Sequence, residues 1–290
     1  MCDERTELDN KTYLGKLRVT RRGFGKIGTG TALATMLPTV ANAQDVVEQE
    51  VLIETSDGNA DAYFVHPASG QHAAVIVWPD VMSIRPAFRA MGKRLAESGY
   101  SVLVVNPYYR THPGEIIEEG ESFADPDVRA RLQPHRSALS ADTCVSDGMA
   151  YVAWLDQQQA VDSDRKIGVT GYCMTGSYTM RIAAASNRIG AGGSFHGGGL
   201  VTNNADSPHL LIPQTEAGFL IAIAENDDAN EPEVKHALRE TFDKSGVDGE
   251  VEVYAGTMHG WCPLDSRVYD QPQAERAWER MLALFERKLA

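Results

Sequence analysis

An α/β fold, built on a mostly parallel twisted sheet with helices covering both faces, is the architecture this 290-residue sequence predicts. Three observations carry that expectation. Short apolar runs of strand length alternate with segments of helix length along most of the chain, the pattern of a sheet buried on both sides. One strand-to-helix junction reads Gly171-Tyr-Cys-Met-Thr-Gly176, after the apolar run Ile167-Gly-Val-Thr170 and before a helix-like stretch at 177–185. Two later apolar runs end in functional groups: Gly218-Phe-Leu-Ile-Ala-Ile-Ala-Glu-Asn-Asp227-Asp228, and Val251-Glu-Val-Tyr-Ala-Gly-Thr-Met-His259-Gly-Trp261.

In chain order, residues 1–43 read as an export signal and are set aside before any fold reasoning. Thr20-Arg-Arg-Gly-Phe-Gly-Lys26 follows the twin-arginine pattern, 27–40 is moderately apolar, and Ala41-Asn-Ala43 supplies small residues for cleavage. The apolar stretch is shorter than the ~20 residues that span a bilayer, and Pro38 interrupts it, so no stable membrane anchor is expected. The mature chain, 44–290, is expected as one domain exported by the twin-arginine machinery to the periplasm or beyond. It opens with alternating strands at 50–54 and 60–66, then a buried-type strand at 73–79. A helix at 86–98 and a strand at 100–106 follow. The polar segment 108–136, with Pro113, Gly114, Gly120 and Pro126, reads as a lid or substrate loop. Alternation resumes with a helix at 137–158, strands at 166–171 and 189–195, the two strands ending in Asp227 and His259, and closing helices at 231–245 and 273–289.

Composition narrows the function classes. The chain has 27 Lys and Arg against 40 Asp and Glu, a net charge of −13, which argues against nucleic acid as a partner. The first 43 residues hold seven Lys/Arg and four Asp/Glu, so the remainder carries 20 basic and 36 acidic residues, a net −16. The four cysteines show no paired spacing, so neither a disulfide framework nor a zinc site is expected, and no cofactor or metal is implied.

Cys173 is the candidate nucleophile. A free cysteine is most often a small buried hydrophobe. Here, however, a glycine two positions earlier permits the sharp turn that exposes a side chain between strand and helix. The helix start also favours the reactive thiolate. Such a nucleophile needs a base and an orienting acid, in the order nucleophile, acid, histidine. Cys173 and Asp227 are 54 residues apart, and Asp227 and His259 are 32 apart. One strand-helix-strand unit takes about 30 residues, so all three fall at the carboxyl ends of nearby strands, where open parallel sheets bind ligands.

These residues, with Val75-Ile-Val-Trp-Pro-Asp80, the 94–107 run Arg-Leu-Ala-Glu-Ser-Gly-Tyr-Ser-Val-Leu-Val-Val-Asn-Pro, Ser194-Phe-His-Gly197 and Ala274-Glu-Arg-Ala-Trp278, resemble the dienelactone hydrolase family from about residue 49 onward. The resemblance implies an α/β-hydrolase with a Cys173, Asp227, His259 triad that cleaves small-molecule esters or lactones through an acyl-enzyme. It places oxyanion donors at the backbone N–H groups of Met174 and Val81. Asp80 stands where the family usually carries a glutamate that shares the resting thiol's proton. Thr175 stands where it usually has glycine, and is expected to crowd the turn. Pro263 stands where some members place a substrate-binding arginine. Arg85, Arg110, Arg129, Arg131 and His196 are the candidate substrate contacts. Asp228, beside Asp227, is the competing triad acid. Cys173 is expected to stay unpaired, with Cys262 as the partner of any inactivating oxidation. The alternatives are an exported small-ligand-binding protein with a degenerate hydrolase site, and a redox role for Cys173, which lacks a resolving cysteine in C-x-x-C spacing.

Overall fold

The computed structural model describes residues 4–16 and 37–290. The twin-arginine pair and most of the apolar stretch of the expected signal lie outside them. A helix α1 (Glu4–Lys16) precedes the main domain. That domain runs β1 (Val46–Thr55), β2 (Gly58–Pro67), β3 (Ala74–Trp78), α2 (Pro86–Glu97), β4 (Ser101–Val105), α3 (Pro126–Ser137), α4 (Ala141–Leu155), β5 (Ile167–Tyr172), α5 (Tyr178–Ala185), β6 (Ile189–Phe195), β7 (Gly218–Ala224), α6 (Glu225–Asn230), α7 (Glu233–Ser245), β8 (Gly249–Tyr254) and α8 (Gln271–Lys288).

The strands form one sheet in the order β1-β2-β4-β3-β5-β6-β7-β8. β1 pairs antiparallel with β2 and β2 with β4, and all later neighbours are parallel. The mostly parallel α/β sheet predicted from the alternation is therefore present. Alternate residues of a strand point to opposite faces, and both faces here are covered. Ala74, Ile76 and Trp78 join a core with Tyr151, Met180 and Ile182 on one side. Val75 and Val77 join Phe88, Met91, Leu95, Leu284 and Phe285 on the other. This is why the central strands read as unbroken apolar runs rather than alternating ones.

Register decides what meets at the sheet's edge. Trp78 lies opposite Gly171, Gly171 opposite Ser194, and Tyr172 opposite Phe195. Phe195 in turn faces Ala222, and Ala224 faces Tyr254. The carboxyl ends of β3, β5, β6, β7 and β8 thus finish side by side, each running into a segment that carries one of the candidate site residues.

The segment 108–136 differs from the expected loop, because its last third is α3. Asp125 caps it by accepting from the Asp127 N–H at 3.1 Å, and Pro126 takes the first turn, where its missing N–H is no loss. The Asp-Pro pair was the signal for that helix. The rest of the segment is pinned at its root: Asn106 donates to Asp61 at 3.0 Å and to the His112 carbonyl at 2.9 Å, and accepts from the Tyr108 N–H at 2.8 Å. Ile116, Phe123, Val128 and Leu132 are buried in one cluster with Val81 and Cys173, so the segment is a packed wall over the end of β5.

Candidate active site

The turn after β5 departs from ordinary backbone geometry where the nucleophile was expected. Cys173 has φ +56°, a left-handed conformation that costs a non-glycine residue free energy and is held only by its surroundings. Two glycines make the turn possible. A Cβ on Gly171 would stand 2.1 Å from the Thr175 carbonyl oxygen, and one on Gly176 would stand 2.5 Å from the Gly197 Cα. Thr175 does not merely crowd the turn, as the sequence suggested. Its hydroxyl oxygen accepts the Tyr172 N–H at 2.9 Å, and its proton faces the Trp78 and Pro79 carbonyls, each at 2.9 Å. The residue therefore ties the end of β5 to the end of β3. The Cys173 carbonyl accepts from Gly198 N–H at 3.0 Å, which ties the turn to the end of β6 as well.

Cys173 is buried, 2% exposed, among Val81, Tyr108 and the partly buried Met174. The two positions expected to supply oxyanion N–H groups are thus packed around it. Tyr108 holds the Val81 side of this group by donating its hydroxyl to the Val81 carbonyl at 2.8 Å, a role the sequence did not suggest. Cys173 is disulfide-bonded, contrary to the expectation of a free thiol. Its partner is neither Cys144 nor Cys262, which are free and buried. Burial pushes both of those thiols well above the usual range, so they are unreactive, and the envisaged pairing of Cys173 with Cys262 is not formed.

At the other end of the group, His259 Nδ1 lies 2.8 Å from Asp227 Oδ2. The His259 backbone N–H donates to Asn226 Oδ1 at 2.7 Å, so two consecutive residues of the helical turn after β7 hold the histidine. Asp228 faces elsewhere, accepting from Lys235 Nζ at 2.6 Å. His196, at the end of β6, is fully buried, and its ring stands 5.0 Å from the His259 ring in an edge-to-face arrangement. Burial and the neighbouring His259 hold it well below the usual histidine pKa, so it is a neutral imidazole in the site's wall.

The arginines and Asp80 sort differently from the sequence expectation. Arg85 is 3% exposed and lies between two carboxylates: it donates to Asp80 at 2.7 and 2.9 Å and to Asp265 at 2.6 and 3.0 Å. Burial works against its charge, but Asp265 and Asp80 more than offset that and raise its pKa. Both Asp80 oxygens thus accept from Arg85. Arg110 pairs with Asp147 and Asp57, and Arg131 pairs with Glu121. Neither points to a substrate role. Arg129 donates to the Phe123 and Ala124 carbonyls at 3.1 and 2.8 Å. Among the described residues, no group of three or more His, Cys, Asp or Glu side chains is arranged to hold a metal ion.

The arrangement is a strained cysteine turn, a histidine held by a carboxylate, and a set of backbone amides at the carboxyl edge of a parallel sheet. Comparison with known proteins gives the family and the fold. The model of the "Dienelactone hydrolase family" matches residues 60–289. A carboxymethylenebutenolidase homolog of Xenopus tropicalis is 28% identical over 239 residues, covering 81% of this chain and 88% of its own. The carboxymethylenebutenolidase of Rhodococcus opacus is 22% identical over 232 residues, 78% of this chain and 86% of its own. Among solved structures, the dienelactone hydrolase-like promiscuous phosphotriesterase P91 from metagenomic libraries superposes with a TM-score of 0.68 at 18% identity, covering 84% of this chain and 99% of that one. With the family model spanning almost the whole main domain, the chain belongs to the dienelactone hydrolase family and is an α/β-hydrolase of ester or lactone bonds.

Proposed function

We propose that the chain cleaves small-molecule esters or lactones through a thiolate at Cys173 and an acyl-enzyme, with His259 as base and Asp227 as its orienting acid. The observation that carries this reading is the 2.8 Å contact between His259 Nδ1 and Asp227 at the same sheet edge as the Cys173 turn. With Nδ1 committed to the carboxylate, proton exchange falls to Nε2. In the reduced enzyme His259 takes the thiol proton as the sulfur adds to the substrate carbonyl, and the developing oxyanion accepts from the Met174 and Val81 N–H groups. The ester C–O bond breaks, and the proton on His259 passes to the departing oxygen. His259 then deprotonates a water that attacks the thioester, releasing the acid and restoring the thiol. Thiolates suit substrates with good leaving groups, enol lactones and aryl esters among them. Membership of a hydrolase family weighs against a binding protein without turnover.

Trapping tests the covalent step. Reduced protein mixed with an activated aryl ester should gain the mass of the acyl group on the peptide containing Cys173, and prior alkylation of that thiol should prevent the gain. An adduct on another residue, or undiminished turnover after alkylation of Cys173, would count against the mechanism.

Export belongs to the same reading. The twin-arginine pattern supports it, and Ala41, Asn42 and Ala43 are exposed, with Asn42 at φ +59°, an accessible turn. N-terminal sequencing of the exported protein should begin at Gln44. Protein recovered outside the cytoplasm with residues 1–43 still attached would refute the cleavage.

A further inference from the structure

Helix α1 lies within the stretch expected to be a removable signal, yet it docks on the site. One face turns inward: Thr6 is buried, Glu7, Asp9, Asn10, Tyr13 and Leu14 are half-buried, and Leu8 on the opposite side is 64% exposed. Asn10 Nδ2 donates to the backbone carbonyl of His259 at 3.3 Å. Asp9 accepts from Asn230 Nδ2 of α6 at 2.9 Å. Glu7 lies within electrostatic reach of Arg129, Arg267 and His259, while its partial burial raises its pKa. The helix therefore bonds to the acid-bearing turn and to the histidine segment, and Glu7 lies in the field of Arg129 from the 108–136 wall.

With α1 in place, Cys173 is 2% and His259 3% exposed. Cys173 is packed among Val81, Tyr108 and Met174, and α1 closes over the His259 side. We propose that α1 is an intramolecular inhibitor, a polar helix that closes the mouth of the site in the full-length chain and must leave before substrate enters. Once the Cys173 disulfide is reduced, the polar contacts of α1 suit a closure that can open. Asn10 and Asp9 hold the helix by hydrogen bonds, each contributing about 1 kcal/mol net. Because α1 belongs to the same chain, it nevertheless competes at an effective concentration of about the millimolar range. Loss of residues 1–43 would remove it for good, so cutting at the exposed 41–43 turn would also switch the enzyme on.

This inference rests on the assignment of Cys173 as nucleophile, so its test includes a readout that does not need turnover. Full-length protein is kept under excess reductant, and two rates are measured: alkylation of Cys173 by iodoacetamide, followed by peptide mass, and cleavage of an aryl ester. Glu7→Arg, which sets a third cation beside Arg129 and Arg267, should speed alkylation about tenfold or more and raise ester kcat/KM in parallel. Leu8→Arg, on the outward face, should leave both rates at wild-type values. Adding the 4–16 peptide to the Glu7→Arg protein should slow alkylation again. Wild-type alkylation rates in Glu7→Arg, with the fold intact by circular dichroism, would overturn the inhibitor role. Faster alkylation with no ester cleavage in any variant would uphold the closure and overturn the catalytic assignment instead.

Discussion

Cys173→Ala is expected to remove ester cleavage almost completely, a loss on the order of a million-fold in kcat as for a triad nucleophile elsewhere. The physical ground is local. The turn at φ +56° sets this one side chain among Val81, Tyr108 and Met174, and the other cysteines among the described residues, Cys144 and Cys262, are buried and unreactive. What remains should be the small rate that binding and oxyanion donors supply alone, about 10³ to 10⁴ over water. Cys173→Ser sharpens the test. A hydroxyl depends on His259 for its activation far more than a thiol does, so the serine variant should retain only slight activity. The measurement is steady-state hydrolysis of an aryl ester by reduced wild type and both variants, after confirming that each folds. Wild-type turnover in the alanine variant would sink the assignment.

The second large effect separates two adjacent acids. Asp227→Asn should lower kcat by about 10⁴-fold, because an amide N–H₂ facing His259 Nδ1 makes that nitrogen accept. The proton then moves to Nε2, which can no longer take one from the thiol. Asp228→Asn removes a partly buried ion pair with Lys235, a contact of the kind worth about 0–1 kcal/mol when exposed, and should leave kcat within about twofold. Folding stability, read from urea midpoints at unchanged slope, should distinguish a lost contact from a lost catalyst. If Asp228→Asn is the crippling change, the orienting acid is misassigned.

Specific residues show where the sequence was readable. The elbow was legible because Gly171 and Gly176 are demanded by backbone clashes that no side chain can relieve, so the requirement is written in the residue type itself. The strands were legible for the same kind of reason: a strand buried on both faces must be apolar throughout. Asp227 and His259 could be placed because a strand's carboxyl end is a fixed address in a parallel sheet. Helix α3 was missed although Asp125-Pro126 marked its start, because the surrounding proline and glycine residues dominated the reading.

The sequence by itself determined the fold class and which side chains arrive at the sheet's edge. Local backbone geometry and burial act residue by residue, and leave their mark in composition. Only the tertiary structure decided what those side chains do with one another. Arg85, a candidate for binding substrate, is spent between Asp80 and Asp265, 180 residues apart in sequence from the latter. Thr175, apparently an obstacle in the turn, is its tie to β3. A helix within the stretch expected to be discarded bonds to the backbone of His259. Pairing of charges and docking of polar surfaces are long-range and satisfied equally well by several partners of the same type. The choice among them is therefore made by the folded geometry and cannot be read from spacing along the chain.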